Sequence, residues 1–460
     1  MQTEGVFGVA PGVSASMIFL FVLFGALLES AGAGAGNYFI KLSCAALGHL
    51  RGGPAKAAVV ASGLSGIYSG SLIANVVTTG TFTIPLMKKT GLSAEKAGAV
   101  EVASSTNGQL TPPVMGAAAF LIAEFTGISY FELIRHAALP ALVSYVALFY
   151  IVHIEVTELG LTGLPRQTPT QGLLRRVTGF LVGFAALVCI ASLFHLLVSL
   201  VGDHAPSFSL PLVAALLLAI YLPLVWLAAR RPDLGEGLSA EEMKMLPRVA
   251  DVAVTGYHFV LPILVLPWCV LVTRLSPGLS AYWACLAMMF VLVTQHPLKA
   301  LFRGRPVSRG HWRDGWRDLL RGLENGARNM ISIAIATAIA GIIIGTVSLT
   351  GAHQFIGSFV ETVSAGNLVI MLLLVAVMSL VLGMGLPTTA NYIAVSSLMA
   401  PVIVMVGAQN GLIVPLVAVH LFVFYFGILA DDTPPAGPRM GLSPRRAAAW
   451  SCPVAAAAAA

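Results

Sequence analysis

The sequence predicts an all-α polytopic membrane protein, and three observations lead to that prediction. Only 10% of its 460 residues are Asp, Glu, Lys or Arg, whereas 57% are apolar; soluble domains average about 25% charged residues. Uncharged runs near 20 residues, the length of helix that crosses a hydrocarbon core about 30 Å thick, recur along the chain. The longest runs lack the alternating pattern of a transmembrane β-barrel, so the spanning segments are expected to be helices.

The uncharged runs give the expected spans in chain order. Those that fit a single crossing are 7–28, 102–123, 136–154, 177–202, 206–229, 252–273 and 275–298. Those too long for one crossing are 57–87, 329–360 and 362–430, and the last should hold about three membrane segments. Because no basic, cleaved signal segment precedes the first run, it is predicted to be a retained helix.

Basic residues in the loops predict the topology. They are Arg166, Arg175 and Arg176 in one loop, Arg230, Arg231, Lys244 and Arg248 in a second, and Lys299, Arg303, Arg305, Arg309, Arg313, Arg317, Arg321 and Arg328 in a third. Two predicted spans separate each loop from the next, so all three should lie on one face, which we assign to the cytoplasm. Such loops ordinarily flank a lipid bilayer, and no nucleic-acid partner is expected.

The chain divides into five predicted parts. Residues 1–155 form an N-terminal membrane block, 156–310 a scaffold of plain spans with basic loops, 311–328 an amphipathic arm helix, 329–436 a C-terminal membrane block, and 437–460 an atypical tail. In the arm, Trp312, Trp316, Leu319, Leu320 and Leu323 recur at helical spacing, with Arg313, Arg317, Arg321 and Asp318 on the other face. A helix packed on a soluble domain is the weaker alternative, since the chain offers no such domain.

The two outer blocks share a weak internal repeat. Asn75 is followed ten residues later by Pro85, and Asn391 is followed at the same spacing by Pro401. Downstream, each block carries a Thr-Pro-Pro triplet, beginning at Thr111 and Thr433. Paired interrupted segments in two halves of a membrane protein point to a transport site at the interface between repeats, although so few identities also arise by chance.

The first interrupted segment is rich in glycine and in neutral oxygen ligands. Glycines let the helix unwind and release carbonyl oxygens, while Ser, Thr and Asn add side-chain oxygens, which suits a dehydrated cation such as sodium. The helix N-terminus after the break would favour an anionic substrate group. The candidate ligands here are Ser65, Gly66, Ser69, Gly70, Asn75, Thr78 and Thr79. Small-residue helix packing is the alternative for single members such as Ser71 or Gly80.

Three further segments are predicted to break at membrane depth. In the matching C-terminal segment a proline follows two glycines, which predicts the tip of a re-entrant hairpin. Its candidate residues are Gly383, Gly385, Pro387, Thr388, Thr389 and Asn391. The helix from Val102 should break near Thr106, Asn107, Gly108, Gln109, Thr111 and Pro112, and its partner segment contributes Asp432 and Thr433.

Ionisable residues within apolar segments are functional candidates. Glu101, Asp431 and Asp432 are of this kind, and Asp432 would balance a bound cation, unless both aspartates sit at the water boundary. His420 is interpreted as a packing histidine with a satisfied ring, ahead of a proton carrier.

One pattern suggests an enzyme instead. Residues 63–66 match the G-x-S-G nucleophile pattern of rhomboid intramembrane proteases, which need Ser65 activated by a histidine. The match is short, and the chain has too many spans, so an enzyme is not expected.

Two stretches carry a resemblance to a known family. Residues 70–88 and 108–120 resemble the large membrane subunit of TRAP transporters, the tripartite ATP-independent periplasmic systems, and most closely their TAXI branch. Residues 420–431 resemble the same group, and the resemblance covers roughly residues 1–436.

The resemblance implies an inverted-repeat, elevator-type transporter with two re-entrant helical hairpins and a scaffold, in a bacterial cytoplasmic membrane. A periplasmic solute-binding protein would deliver an organic anion, commonly a carboxylate, and sodium would drive uptake. Sodium is expected at Ser65, Asn75, Asn391 and Asp432, with no other cofactor. A binding-protein-independent carboxylate carrier is the related alternative.

Two departures from the family pattern matter. The small four-helix subunit, often fused ahead of the large one in TAXI systems, is expected as a separate chain or a lost fusion. Residues 437–460 resemble no part of the family, which suggests a truncation or frame change and puts full activity in doubt.

Overall fold

Almost all of the described chain is helical, which confirms the predicted all-α class. The computed structural model describes residues 5–31, 35–69, 72–112, 115–116, 118–165, 209–233, 245–365, 367–383, 388–409 and 411–430, together with 178, 192 and 196. Within these residues, seven helices are long and apolar enough to cross a membrane.

The described residues form fifteen helices, numbered here in chain order. They are α1 (Val9–Glu29), α2 (Ala35–Leu47), α3 (Gly53–Ser69), α4 (Leu72–Lys89), α5 (Ala94–Leu110), α6 (Ala118–Thr126), α7 (Tyr130–Glu158), α8 (Ser209–Ala229), α9 (Val249–Val272), α10 (Pro277–Phe302), α11 (Arg309–Thr350), α12 (Ala352–Ser364), α13 (Leu368–Gly383), α14 (Thr388–Gln409) and α15 (Leu416–Ala430). Single π-helical turns lie within α1, at Ser14–Ile18, and at the end of α9, at Trp268–Val272.

Helices α1 and α8 to α11 pack together as a bundle, which we call the scaffold. Its longest member, α11, has 42 residues and is therefore about 63 Å long. Gly322 and Gly326 let α11 approach α1 closely, since a Cβ on either would meet Leu27 or Leu23. The helix continues unbroken past residue 328, where the arm was predicted to end.

The amphipathic part of α11 differs from the prediction at one residue. Trp312, Trp316 and Leu320 are exposed, as expected of a helix at a membrane boundary. Asp318, however, does not lie on the exposed charged face. It is 9% exposed and accepts a hydrogen bond of 2.8 Å from the Nε2 of His296 on α10. The prediction for Asp318 was wrong because helical spacing does not reveal a partner on another helix.

The described parts of the second and third basic loops meet at one face, as predicted, whereas Arg166, Arg175, Arg176 and Lys244 lie outside the described residues. The Arg303 guanidinium, just after α10, donates 2.8 Å to the carbonyl of Arg231, just after α8. The backbone N–H of Leu246 donates 2.9 Å to the carbonyl of Pro165, which borders the first basic loop. Four scaffold helices therefore have their ends at this face.

Two three-helix units hold the interrupted segments. The N-unit consists of α3, α4 and α5, and the C-unit of α13, α14 and α15; in each, every helix packs on the other two. Residues 70–71 separate α3 from α4, and residues 384–387 separate α13 from α14. Helix α5 continues through residues 106–109 and ends at Leu110, and α6 begins at Ala118, so the helix ends only at the last part of the segment where the break was predicted, at Thr111 and Pro112.

Each unit contains a close helix approach that depends on a small residue. In the N-unit, a Cβ on Gly66 would lie 2.5 Å from the Cα of Gly108. In the C-unit, a Cβ on Gly383 would overlap the Cβ of Ala430. The equivalent pairs show that the weak sequence repeat corresponds to a repeated packing arrangement, of the small-residue type common between membrane helices.

Helix α6 follows α5 of the N-unit in the chain and packs on α14 and α15 of the C-unit, and α15 also contacts α5. Phe125 on α6 lies 6.3 Å, between ring centroids, from both Tyr392 and His420 of the C-unit. The Tyr392 hydroxyl and the His420 Nδ1 are hydrogen-bonded at 2.7 Å. The interpretation of His420 as a packing histidine with a satisfied ring is thereby confirmed.

The Gly66–Gly108 approach predicts a sharp difference between two glycines of one helix. Gly108→Ala places a methyl group against the Gly66 backbone and should lower stability by about 1–3 kcal/mol, whereas Gly98→Ala, whose Cβ meets nothing within 4 Å, should be neutral or stabilising. Thermal unfolding of both variants in detergent measures this difference. Equal midpoints for the two variants would show that α3 and α5 are not in close contact.

Candidate functional site

Asn75 ties together the three helices of the N-unit. It is the fourth residue of α4 and is fully buried. Its amide nitrogen donates 2.9 Å to the Ser62 carbonyl on α3 and 3.1 Å to the Ser105 hydroxyl on α5, and it lies 3.1 Å from the Ser62 hydroxyl. One side chain beside the helix break therefore holds both neighbouring helices.

Asn391 likewise hydrogen-bonds to both neighbouring helices of the C-unit. It is the fourth residue of α14 and is also fully buried. Its amide nitrogen donates 3.3 Å to the Ser379 carbonyl on α13 and 3.0 Å to the Gly427 carbonyl on α15. Ser105 and Gly427 each stand six residues before the threonine of a Thr-Pro-Pro triplet, so the contacts follow the sequence repeat.

The backbone partners fix the orientation of both amides. A carbonyl oxygen only accepts hydrogen bonds, so the NH2 group of each asparagine must face it and the Oδ1 must point the other way. Within the described residues, the Oδ1 atoms of Asn75 and Asn391 are buried and have no hydrogen-bond partner. An unpartnered buried oxygen is costly to retain. Each of these two oxygens, at equivalent positions in its unit, is a neutral ligand of the kind that suits a dehydrated cation.

A buried carboxyl group lies beside Asn75. Glu101 on α5 is fully buried, and it accepts hydrogen bonds from the hydroxyls of Thr79 and of Thr83, the latter at 2.6 Å. The Thr79 hydroxyl also lies 2.8 Å from the Asn75 carbonyl and 3.5 Å from the Ser62 hydroxyl. Glu101 was a candidate from the sequence as an ionisable residue in an apolar segment, but its place in the oxygen cluster around Asn75 was not predicted.

Within the described residues, the C-unit has no counterpart of this carboxyl network. By the repeat spacing, Val395, Met399 and Val423 stand where the N-unit has Thr79, Thr83 and Glu101. All three are buried and apolar. The two asparagine sites therefore share their amide geometry but differ in charge.

Ser65 and Thr78 belong to a second polar group near the break in the N-unit. The Ser65 hydroxyl donates 3.1 Å to the Tyr68 hydroxyl, so the structure does not place it in the Asn75 cluster. The Thr78 hydroxyl donates 3.3 Å to Glu29 at the end of α1. Because the recorded partner of Ser65 is a tyrosine rather than a histidine, the geometry offers no activated serine of the protease type.

The remaining candidates of the N-unit line the end of α5. Thr106 donates 2.9 Å to the Val102 carbonyl, Thr111 donates 2.8 Å to the Asn107 carbonyl, and the Asn107 Oδ1 accepts 2.7 Å from Ser144 on α7. Gln109 is buried against Gly116, whereas Pro112 is half-buried.

The C-unit candidates are only partly described. Thr388 begins α14, and Thr389 is 8% exposed. Gly70, Gly385, Pro387, Asp432 and Thr433 lie outside the described residues, as does the side chain of Ser69, the last residue of α3. Sodium ligation by Asp432 stays a prediction.

Several residues of the two clusters were missed from the sequence. Ser62, Ser105 and Thr83 are ordinary small polar residues on apolar helices, and Ser379 and Gly427 contribute only carbonyls. The internal repeat could have indicated two of them, because Ser62 and Ser379 each lie four residues before the glycine of a close helix approach.

Comparison with known proteins matches most of the chain to one family model. The family model described as "Tripartite ATP-independent periplasmic transporter, DctM component" matches residues 3–202 and 205–443. The chain is similar to the C4-dicarboxylate TRAP transporter large permease protein DctM of Pseudomonas aeruginosa, with 26% identity over 46% of each chain. It is also similar to the uncharacterized protein y4mL of Sinorhizobium fredii, with 28% identity over 33% of this chain and 36% of that one. Each alignment spans less than half of the relative's length.

Replacing either asparagine should destabilise the three-helix unit that contains it. Asn75→Ala and Asn391→Ala each delete two interhelical hydrogen bonds, and each should lower stability by about 1–2 kcal/mol. Asn325→Ala, at an exposed position of α11, is the matched control and should stay within about 0.5 kcal/mol. Thermal unfolding in sodium-free detergent measures the stability of all three variants. Asparagine variants as stable as the control would show that these interhelical hydrogen bonds do not stabilise the units.

Proposed function

Since the chain belongs to the DctM family of tripartite ATP-independent periplasmic transporter components, we propose that it is the large permease subunit of a secondary uptake system. The proposed cargo is an organic anion of the carboxylate class, brought by a periplasmic solute-binding protein to the bacterial cytoplasmic membrane. The name of the Pseudomonas aeruginosa relative, a C4-dicarboxylate permease, supports this class. A small four-helix membrane subunit completes the proposed assembly, and residues 70–88 and 108–120 support the TAXI branch.

The observation that carries the proposal of ion coupling is the pair of unpartnered amide oxygens. The Oδ1 atoms of Asn75 and Asn391 are buried beside the two helix breaks, at equivalent positions in two repeated units. Sodium is coordinated in discontinuous-helix transporters by such neutral oxygens and by carbonyls at half-helix ends. Near Asn75, the Glu101 carboxylate would balance the ion's charge, and it lies in the same hydroxyl network.

The helix ends at each break favour opposite charges. Helices α3 and α13 end there with C-terminal carbonyls, which attract cations. The N-terminal ends of helices α4 and α14 lie there, and helix N-termini attract anions such as a carboxylate. A sodium ion and an anionic substrate at neighbouring ends of one break would stabilise each other, which provides a physical basis for coupled uptake.

The proposed movement is an elevator motion of the two units against the scaffold. Each unit is a compact group of three helices, α15 of one contacts α5 of the other, and α6 follows α5 in the chain and packs on α14 and α15, so in this proposal they move as one body. The scaffold helices α1, α10 and α11 pack mainly on each other, and α11 also contacts α14. In this proposal the breaks at 70–71 and 384–387 are the tips of two re-entrant hairpins.

Reconstituted uptake tests the proposed function. The chain, together with its small subunit, should accumulate a radiolabelled C4-dicarboxylate in proteoliposomes only when an inward sodium gradient and the binding protein are both present. Uptake without the binding protein would favour a binding-protein-independent carrier instead. Uptake that does not depend on the sodium gradient would show that sodium is not the coupling ion.

Sodium titration of the same uptake tests the ligands. Asn75→Ala, Asn391→Ala and Glu101→Gln should each raise the sodium concentration for half-maximal uptake about tenfold or more, because an oxygen facing a charge contributes about 1.5–3 kcal/mol. Glu124→Gln on α6, which is exposed, and Asn325→Ala are the controls. Unchanged sodium titrations for all three site variants would show that these residues do not bind the coupling ion.

A further inference from the structure

A cavity of about 330 Å³ lies in the scaffold, outside both three-helix units. It opens at the face where α8 and α10 end and α9 and α11 begin. Its volume lies within the range of small-molecule sites, about 300–1,000 Å³. The lining residues that matter here are Asp233, Phe259, Gln295, Lys299, Arg303 and Arg305.

The cavity carries an excess of positive charge. Lys299, Arg303 and Arg305 line it, against a single carboxylate, Asp233. Arg303 pairs closely with Asp233, at 2.6 Å and 3.0 Å, and holds the pKa of that carboxyl below its usual range. Lys299 contributes a more distant pair with Asp233, at 3.7 Å, and its side chain is 17% exposed. The lining groups therefore favour an anion.

A buried donor without a partner also lies in the cavity wall. Gln295 is 1% exposed, and its Oε1 lies 3.3 Å from the Nε2 of His258, which donates to it. Within the described residues, the Gln295 Nε2 has no hydrogen-bond partner, although it is buried. An amide NH2 in this position is suited to an oxygen-rich anion, and leaving it unpartnered costs free energy.

The cavity lies at the expected depth of lipid headgroups. Trp312 and Trp316 are exposed on α11, next to the lining residue His311. Trp226 on α8 lies under the Arg230 guanidinium, 3.5 Å from ring centroid to Cζ. Exposed tryptophans of membrane proteins gather at the boundary between hydrocarbon and water, so phosphates of the bilayer are at the same level.

We infer that this scaffold cavity binds the phosphate group of an anionic phospholipid. Lys299 and Arg305 supply the charge and Gln295 supplies a buried donor, while Phe259 and the lining alanines leave an apolar wall for the adjoining chain. Basic pockets between membrane helices bind lipid headgroups by this combination. Such a lipid would tie α8, α9, α10 and α11 together at one face of the scaffold.

Lipid binding to the delipidated full chain tests this inference. Native mass spectrometry should detect phosphatidylglycerol bound more tightly than phosphatidylcholine. Lys299→Met and Arg305→Gln should each weaken phosphatidylglycerol binding about fivefold, as expected for one basic group near a membrane surface. Arg313→Gln, which removes the same charge from α11 outside the cavity, is the matched control and should bind normally.

A second measurement separates the two sources of phosphate. Phosphatidylglycerol should raise the unfolding midpoint of the unsubstituted chain in detergent, whereas inorganic phosphate at the same concentration should not. Equal protection by inorganic phosphate would show that the cavity binds a free anion rather than a lipid. If the cavity variants bound phosphatidylglycerol as tightly as Arg313→Gln does, the cavity would not be the lipid site. Should Lys299→Met fail to fold, Arg305→Gln alone decides between these outcomes.

Discussion

The structure depends on one interaction that occurs twice: an asparagine beside a helix break donates its amide protons to both neighbouring helices. A break inside an apolar protein exposes polar groups that lipid cannot satisfy, so it must be enclosed by protein. Asn75 and Asn391 provide that enclosure, since each holds three helices together around the interrupted segment. The same orientation turns each Oδ1 away from the backbone, and the proposed ion sites follow from it.

The two units are similar in packing and different in chemistry. Each has a small-residue contact between its first and third helices, at Gly66 in one and Gly383 in the other. Among the described residues, the N-unit alone adds a buried carboxyl group, Glu101, within a network of threonine hydroxyls. A repeat that keeps its geometry while changing its charge can bind ions of the same kind with unequal affinity, which would give an order to their binding.

Much of this arrangement could be predicted from the sequence, because it rests on local signals. Membrane-length apolar runs gave the helical class, and the proline and glycine positions gave the break after Leu110. The spacing of Asn75 and Asn391 from their downstream prolines indicated the repeat. The partners could not be predicted, because Ser62 and Ser379 contribute carbonyls that every residue has. Asp318 was misjudged for a related reason: its partner His296 lies on another helix.

The most direct test of the account is a structure determined with thallium in place of sodium, since thallium is a heavy analogue of a monovalent cation. The account predicts anomalous density within coordination distance of the Oδ1 atoms of both Asn75 and Asn391, with the density near Asn75 also close to the oxygen network of Glu101. Density at neither oxygen, in a protein that still transports with thallium, would contradict it.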